Sequence, residues 1–497
     1  MSPPGASMTA TVVKGAGLSA VSRFGTQVLT IAATAVVARL VPPRAYGLMG
    51  MAGVVIGFAG LFRDLGTASA IVQRRDIDEG LLTSVFWLNI WMGVAVTGAC
   101  WLAAPWAALF YREPAILGIL RALSVAFLIM SLASVHGALL SRHLQFGRIA
   151  MVELVAGVAG LAAAVTGALL GAGVWSLVMN LLANSVVSTL ALIWARPWRP
   201  RLHFSWVEIR SISGFGLNLS ASNIVNYFAR NADNMLVGKY LGAAPLGFYG
   251  LAYNFMLFPL QAVGLTLGRV LFPAFAAMQS DHERLRQAYL RSSAAIAFFT
   301  FPLMAGATVL APEVIAVFLG PHWGPAVPVL RILAPVGLLQ SLTTITGQIY
   351  LATGSTGAMF RWGTLFSAVL VVGFIAGLPW GIIGVAAIYA VLSALLLIPN
   401  LAIPFRLISL PLTALWKSIQ LIAVSTAAMT AAVAALRWVL VFQLKTPPLV
   451  TFGTCAVLGA AFYFVFMYYR RSAVLHDVVA LAGPRLRALL PLREQAG

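Results

Sequence analysis

Phe215–Gln261 reads FGLNLSASNIVNYFARNADNMLVGKYLGAAPLGFYGLAYNFMLFPLQ, and its two halves pull in different directions. Most of it is apolar enough for a membrane helix, yet Asn223, Asn226, Arg230, Asp233 and Asn234 fall within three turns. At 100° per residue these five lie within about 100° of one another, so they form one polar stripe on a greasy helix. A lone charge at bilayer depth costs roughly 2.5–3.5 kcal/mol on insertion scales. The stripe is therefore expected to face a protein-lined, watery interior, which points to a conduit or cavity.

The rest of the chain fits that reading. Of 497 residues, 61% are hydrophobic and 9% charged, and the mean hydropathy is +0.93. Repeated apolar runs of about 20 residues define a polytopic helical membrane protein. Because the runs are continuous and do not alternate, a β-barrel is excluded. The net charge of +19 has two readings, basic loops on the cytoplasmic side and attraction for an anionic substrate or lipid. Cys100 and Cys455 sit far apart in apolar segments and build neither a disulfide framework nor a metal site. The N-terminal stretch lacks a signal-peptide layout, so an uncleaved first helix is expected.

Hydropathy and breakers predict an all-α fold with about fourteen transmembrane helices, the first over 12–40 and the others from residue 45 to residue 469. Placing the N-terminus in the cytoplasm puts most Lys and Arg in inward segments and both termini inside. The densest basic loop, ARPWRPRLHFSWVEIR at Ala195–Arg210, reads as a linker between two halves and as a patch for the anionic leaflet. The expected organisation is a six-helix lobe over 1–200, a second over 201–410, two additional helices over 411–470, and a basic tail over 471–497.

An internal repeat supports the two halves. Arg39–Ala52 reads RLVPPRAYGLMGMA and Lys239–Ala252 reads KYLGAAPLGFYGLA; at an offset of 200, Gly47/Gly247, Gly50/Gly250 and Ala52/Ala252 coincide. Both copies enter the membrane in the same direction, giving a parallel repeat. The same offset sets Arg23, Thr26, Thr30 and Thr34, with Gln27 beside them, against Asn223, Asn226, Arg230 and Asn234. One polar helix from each half would line a central cleft, the layout of alternating access by rocking halves.

ARLVPPRAYG followed by FRDLGTASAIVQRRDIDEGLLTSVFWLN (Phe62–Asn89) resembles the start of bacterial polysaccharide transporters. Asn226–Gln261 and LFPAFAAMQSDHERLRQAYLR (Leu271–Arg291) are similar to the middle of the same family, and the likeness covers roughly residues 12–405. These are the lipopolysaccharide and exopolysaccharide flippases of the multidrug/oligosaccharidyl-lipid/polysaccharide superfamily. The resemblance implies a V-shaped pair of pseudo-symmetric six-helix bundles in the bacterial inner membrane. It further implies movement of an undecaprenyl-diphosphate-linked sugar repeat unit from the cytoplasmic to the periplasmic leaflet, with membrane lipids and polysaccharide polymerase or export machinery as partners. The alternatives are a lipid II or multidrug exporter of the same superfamily, or a membrane glycosyltransferase or polymerase.

A diphosphate head calls for arginine, whose planar fork donates to phosphate oxygens in pairs and stays charged when desolvated. Arg23 and Arg230, one per half, are the first candidates, with Arg269 and Arg331 behind them. Gln27, Asn223, Asn226 and Asn234 are candidates for sugar hydroxyls, which need paired donors and acceptors. Asp233 and Glu153 are candidate proton-coupling carboxylates. Each has a plainer alternative: an Arg230–Asp233 pair, Arg23 reaching the membrane surface, Glu153 near Arg148, amides joining helices. No nucleotide-binding loop, catalytic set or metal-ligand spacing is present in the sequence, and neither a cofactor nor nucleic acid is expected.

Overall fold

The computed structural model describes residues 34–64, 67–74, 77–278, 281–470 and 474–475. Every regular element among them is helical, and each span expected from residue 45 onward coincides with a helix or a broken pair of helices. Of the first span, 34–40 is helical and the remainder lies outside the described residues. Contacts divide the chain into two compact units, Met1–Gly250 and Leu251–Gly497.

The first unit runs through α1 (Pro43–Asp64), α2 (Thr67–Gln73), α3 (Glu79–Tyr111), α4 (Ala115–Ser131), α5 (Ser134–Arg142), α6 (Phe146–Leu169), α7 (Val174–Ala195) and α8 (Trp206–Leu241). It ends within α9 (Ala243–Ala277). α6 packs on α7, α3 on α4, and α1 against α3, α4 and α8. The α6–α7 contact is close because Ala156, Gly160, Ala164 and Gly167 recur on one face. A methyl added at Gly160 would come within 2.9 Å of the Asn180 carbonyl oxygen. Without a hydrophobic drive between helices in lipid, such small-residue faces associate by letting backbones approach.

The second unit holds α10 (His282–Val309), α11 (Ala311–Phe318), α12 (Ala326–Thr343), α13 (Thr346–Ala352), α14 (Thr356–Gly377), α15 (Gly381–Leu395), α16 (Leu397–Leu407), α17 (Leu412–Trp438) and α18 (Pro448–Tyr469). α10 lies between α12 and α17. Its Tyr289 hydroxyl donates to the Leu342 carbonyl at 3.1 Å. α18 returns against α17 and α11, and its Tyr463 hydroxyl donates to Phe298 on α10 at 3.1 Å. Arg437 of α17 donates to both Glu313 oxygens of α11 at 2.9 and 3.0 Å, in a pair whose carboxylate is buried. The two last helices are thus bound into this unit by packing and by charge.

Among the described residues, nine stretches are long and apolar enough to cross a membrane, ten if α4 and α5, bent by 48°, form one span. One of the nine, Thr356–Leu407, is 52 residues long, far beyond the roughly 20 residues that a crossing needs. It contains α14, α15 and α16, and α14 and α15 pack on each other across the turn Leu378–Trp380. In Pro448–Tyr469 the most apolar window is only 22% buried. Trp106 and Leu109 stand 69% and 75% exposed. An apolar exterior around satisfied helices is the solution that a bilayer imposes, and the chain is a multi-pass membrane protein.

Candidate functional site

α8 carries the polar stripe, and local chemistry explains its bounds. Glu208 in the first turn and Lys239 in the last complement the helix dipole, and Gly242 stops the helix with φ +93°. Along it the charges meet different fates. Arg230 is exposed and makes no ion pair among the described residues. Asp233 is 3% exposed and accepts from the Tyr249 hydroxyl at 3.0 Å and from the Asn234 N–H at 2.7 Å. The Arg230–Asp233 pair is not formed; Asp233 ties α8 to α9 instead. Asn231 donates to the Tyr227 carbonyl at 2.9 Å, within the helix, and Asn234 is half-buried.

Other candidates scatter. Arg331 is exposed on α12 in the second unit, and Glu153 is exposed on α6. Arg148 reaches Gln145 and the Ala195 carbonyl, not Glu153. Asn223 and Asn226 are placed only as positions on α8 and Arg269 as a position on α9; their side chains, with Arg23 and Gln27 entirely, lie outside the described residues.

The two repeated turns come together. A methyl at Gly47 would overlap the Ala243 carbonyl, and one at Gly247 would overlap the Pro43 carbonyl. Residue 47 meets 243 and residue 247 meets 43, a reciprocal contact at the repeat offset. Only glycine permits that approach of backbone to backbone. Below the crossing, the Tyr227 hydroxyl donates to the Val54 carbonyl at 2.8 Å, and Phe58 packs on Phe228 with ring centroids 5.0 Å apart. Beside it, Arg44 pairs with Glu113 at 2.9 Å and Lys239 lies 4.0 Å over the Phe110 ring.

At the other end of α3, the basic linker is pinned. Arg201 pairs with Glu79, and its carbonyl accepts from the Trp87 indole at 2.9 Å. The Ser84 hydroxyl donates to Glu208 at 2.6 Å and accepts from the Ser205 N–H at 3.0 Å. Trp198 packs edge-on against Phe86 and His136. Nearby, Arg142 donates to the carbonyls of Ile71 and Arg74 and fixes the end of α2. The basic segment between α7 and α8 is a strap docked on α3.

Sequence reasoning missed a cavity of about 440 Å³ inside the first unit, bordered by α1, α2, α3, α4, α5 and α7. Arg63, Asn89, Ser134 and Ser188 are among its lining residues. Asn89 is buried; it accepts from Thr67 at 3.0 Å and donates to Ser134 at 2.8 Å. Polar residues spread over five helices of unrelated sequence position leave no local pattern to find.

The polysaccharide biosynthesis protein family matches residues 36–328. The chain is 31% identical to the lipopolysaccharide biosynthesis protein WzxC of Escherichia coli K12, over 75% of this chain and 76% of that one. It is 28% identical to the teichuronic acid biosynthesis protein TuaB of Bacillus subtilis, over 75% and 78% of the two chains. With the succinoglycan biosynthesis transport protein ExoT of Rhizobium meliloti it shares 29% identity over 74% of each. In fold it is similar to the lipid II flippase MurJ in an inward closed conformation, with a TM-score of 0.74 at 16% identity over 91% of this chain and 99% of that one. It also resembles an inward-facing multidrug transporter of the MATE family, with a TM-score of 0.62 at 19% identity over 80% and 99%.

Proposed function

The chain belongs to the polysaccharide biosynthesis protein family, and we propose that within it this protein is a flippase for polyprenyl-diphosphate-linked oligosaccharide, undecaprenyl diphosphate being the expected carrier. The single observation that carries the reading is Arg230, an exposed guanidinium without an ion-pair partner among the described residues, on a long helix of a membrane protein. A charge kept at that position is a default functional site in a membrane helix. Its planar fork suits a diphosphate better than any other side chain. Asn223, Asn226 and Asn234 on the same stripe, with Gln27, would receive the first sugars, and Arg23, Arg269 and Arg331 are the further arginines proposed for the diphosphate. Transport is then alternating access between two six-helix lobes, from the cytoplasmic to the periplasmic leaflet of the inner membrane, with both termini cytoplasmic. Asp233 and Glu153 remain the carboxylates proposed for proton coupling, Asp233 being also a helix-joining acceptor.

Binding tests the reading. Purified full-length protein in detergent is titrated with an undecaprenyl-diphosphate oligosaccharide, and Arg230→Gln is compared with the parent. A charge-assisted hydrogen bond is worth about 1.5–3 kcal/mol, so affinity should fall about tenfold or more. Equal affinity in the two proteins would remove Arg230 from the site. Preference for a lipid-linked muropeptide or a cationic drug over the oligosaccharide would replace the substrate class.

A further inference from the structure

The cavity in the first unit has no part in the flipping path proposed above, yet its lining is chemically biased. Three of its hydroxyls are committed to backbone carbonyls: Ser131 donates to Leu128 at 2.7 Å, Ser141 to Gly137 at 3.0 Å and Thr189 to Ile129 at 3.1 Å. Three donors are not. Arg63 has one side-chain hydrogen bond among the described residues, to the Met130 Sδ at 3.2 Å, and a thioether is a weak acceptor. That leaves most of its five N–H donors for something else. The Ser134 oxygen accepts from Asn89, which turns its own proton away from that amide. Ser188 makes no hydrogen bond among the described residues. No acidic side chain is among the described lining residues.

Donors in excess, one of them a permanent cation, with no carboxylate among the described lining residues to neutralise it, describe a site built for an anion with several acceptor oxygens. The volume lies in the range of small-molecule sites, about 300–1,000 Å³. It would hold a single phosphorylated headgroup. Asn89 and Thr67 form a buried hydrogen-bonded brace that fixes Ser134, so one donor is preorganised. Apolar Val72, Met130 and Leu192 complete the wall and suit the glycerol or sugar carbon skeleton of such a group.

We propose that this cavity is a second site, distinct from the α8 stripe, that binds a phosphate group, carried by an anionic lipid or free, through Arg63, Ser134 and Ser188. The test uses the purified full-length chain and two probes. Inorganic phosphate is compared with chloride at equal ionic strength by thermal unfolding, and phosphatidylglycerol is compared with phosphatidylcholine by native mass spectrometry of retained lipid. Saturable binding of one probe is expected, weakened about tenfold in Arg63→Gln and several-fold in Ser134→Ala and Ser188→Ala, with partial retention in Arg63→Lys. Phosphatidylglycerol binding without a phosphate effect assigns a lipid headgroup; a phosphate effect that displaces the lipid assigns the bare anion as sufficient. If Arg63→Gln does not fold, Ser188→Leu fills the cavity from one wall and should abolish the same binding. Arg406→Gln, on α16 of the second unit, should bind as the parent does. Failure of both probes to saturate, or unchanged binding in Arg63→Gln and Ser188→Leu, would leave a water-filled cavity and overturn the proposal. Because the readout is binding of phosphate or phospholipid, its failure is separate from any failure to flip oligosaccharide.

Discussion

Arg230 and Asp233 sit less than one turn apart on α8, and their surroundings give them opposite work. The carboxylate is buried and holds α8 to α9 through Tyr249, whereas the guanidinium is left exposed. Replacing Asp233 with Ala should therefore act on stability: it removes the charged acceptor of the Tyr249 hydroxyl, and a hydrogen bond to a charged group is worth about 1.5–3 kcal/mol. Thermal unfolding in detergent should show that loss for Asp233→Ala and little change for Arg230→Gln. The Arg437–Glu313 pair makes a sharper case. Removing one partner of a buried ion pair leaves an uncompensated charge and costs about 3–5 kcal/mol. Arg437→Leu and Glu313→Leu should each lower stability by that order, and the double substitution should recover much of it. The helical wheel located the stripe but not its division, because a stripe about 100° wide straddles the edge between a packed face and an open one. Where the neighbouring helix lies is a tertiary fact. Arg437 carries no local signal of its role in the sequence, and only its meeting with Glu313, 124 positions away, makes it structural.

The reciprocal glycine crossing is an element-scale feature with an element-scale consequence. Gly47 and Gly247 meet equivalent carbonyls, so Gly47→Ala and Gly247→Ala should be equally damaging, each forcing α1 and α9 apart. A methyl at Gly250 meets nothing within 4 Å, so Gly250→Ala should be silent although Gly250 belongs to the same repeat. Thermal stability and cysteine accessibility beside the crossing would read both. The repeat was legible in the sequence as matching glycines at an offset of 200. Its physical purpose, close approach of two backbones, was not, since coincidence of small residues does not reveal what they face. The linker behaved likewise. Its basic composition is plain in the sequence, but Ser84 and Glu79, which hold it, are unremarkable residues of α3 that gain meaning only from the docked strap. Ser84→Ala removes the acceptor of the Ser205 N–H and the donor to Glu208. Limited proteolysis at Arg199 and Arg201 should be faster in that variant than in the parent.

For the whole molecule, hydropathy and breakers located the long helices, because a bilayer demands long apolar runs with every backbone group satisfied inside each run. That demand is local and so is written locally. Breaks within a span, such as that between α4 and α5, and the short helices α2 and α11 were not foreseen, since they depend on contacts between distant segments. The cavity shares that origin. The family match places the chain among polysaccharide biosynthesis proteins, and the polar stripe supplies the chemistry proposed for its cargo. The direct measurement is transport of a fluorescent undecaprenyl-diphosphate oligosaccharide across proteoliposomes, comparing the parent with Arg230→Gln at matched insertion and thermal stability. The account predicts flipping by the parent and a loss of about tenfold or more in the variant. Equal rates in the two, or no flipping by the parent while a drug or lipid-linked muropeptide crosses, would contradict it.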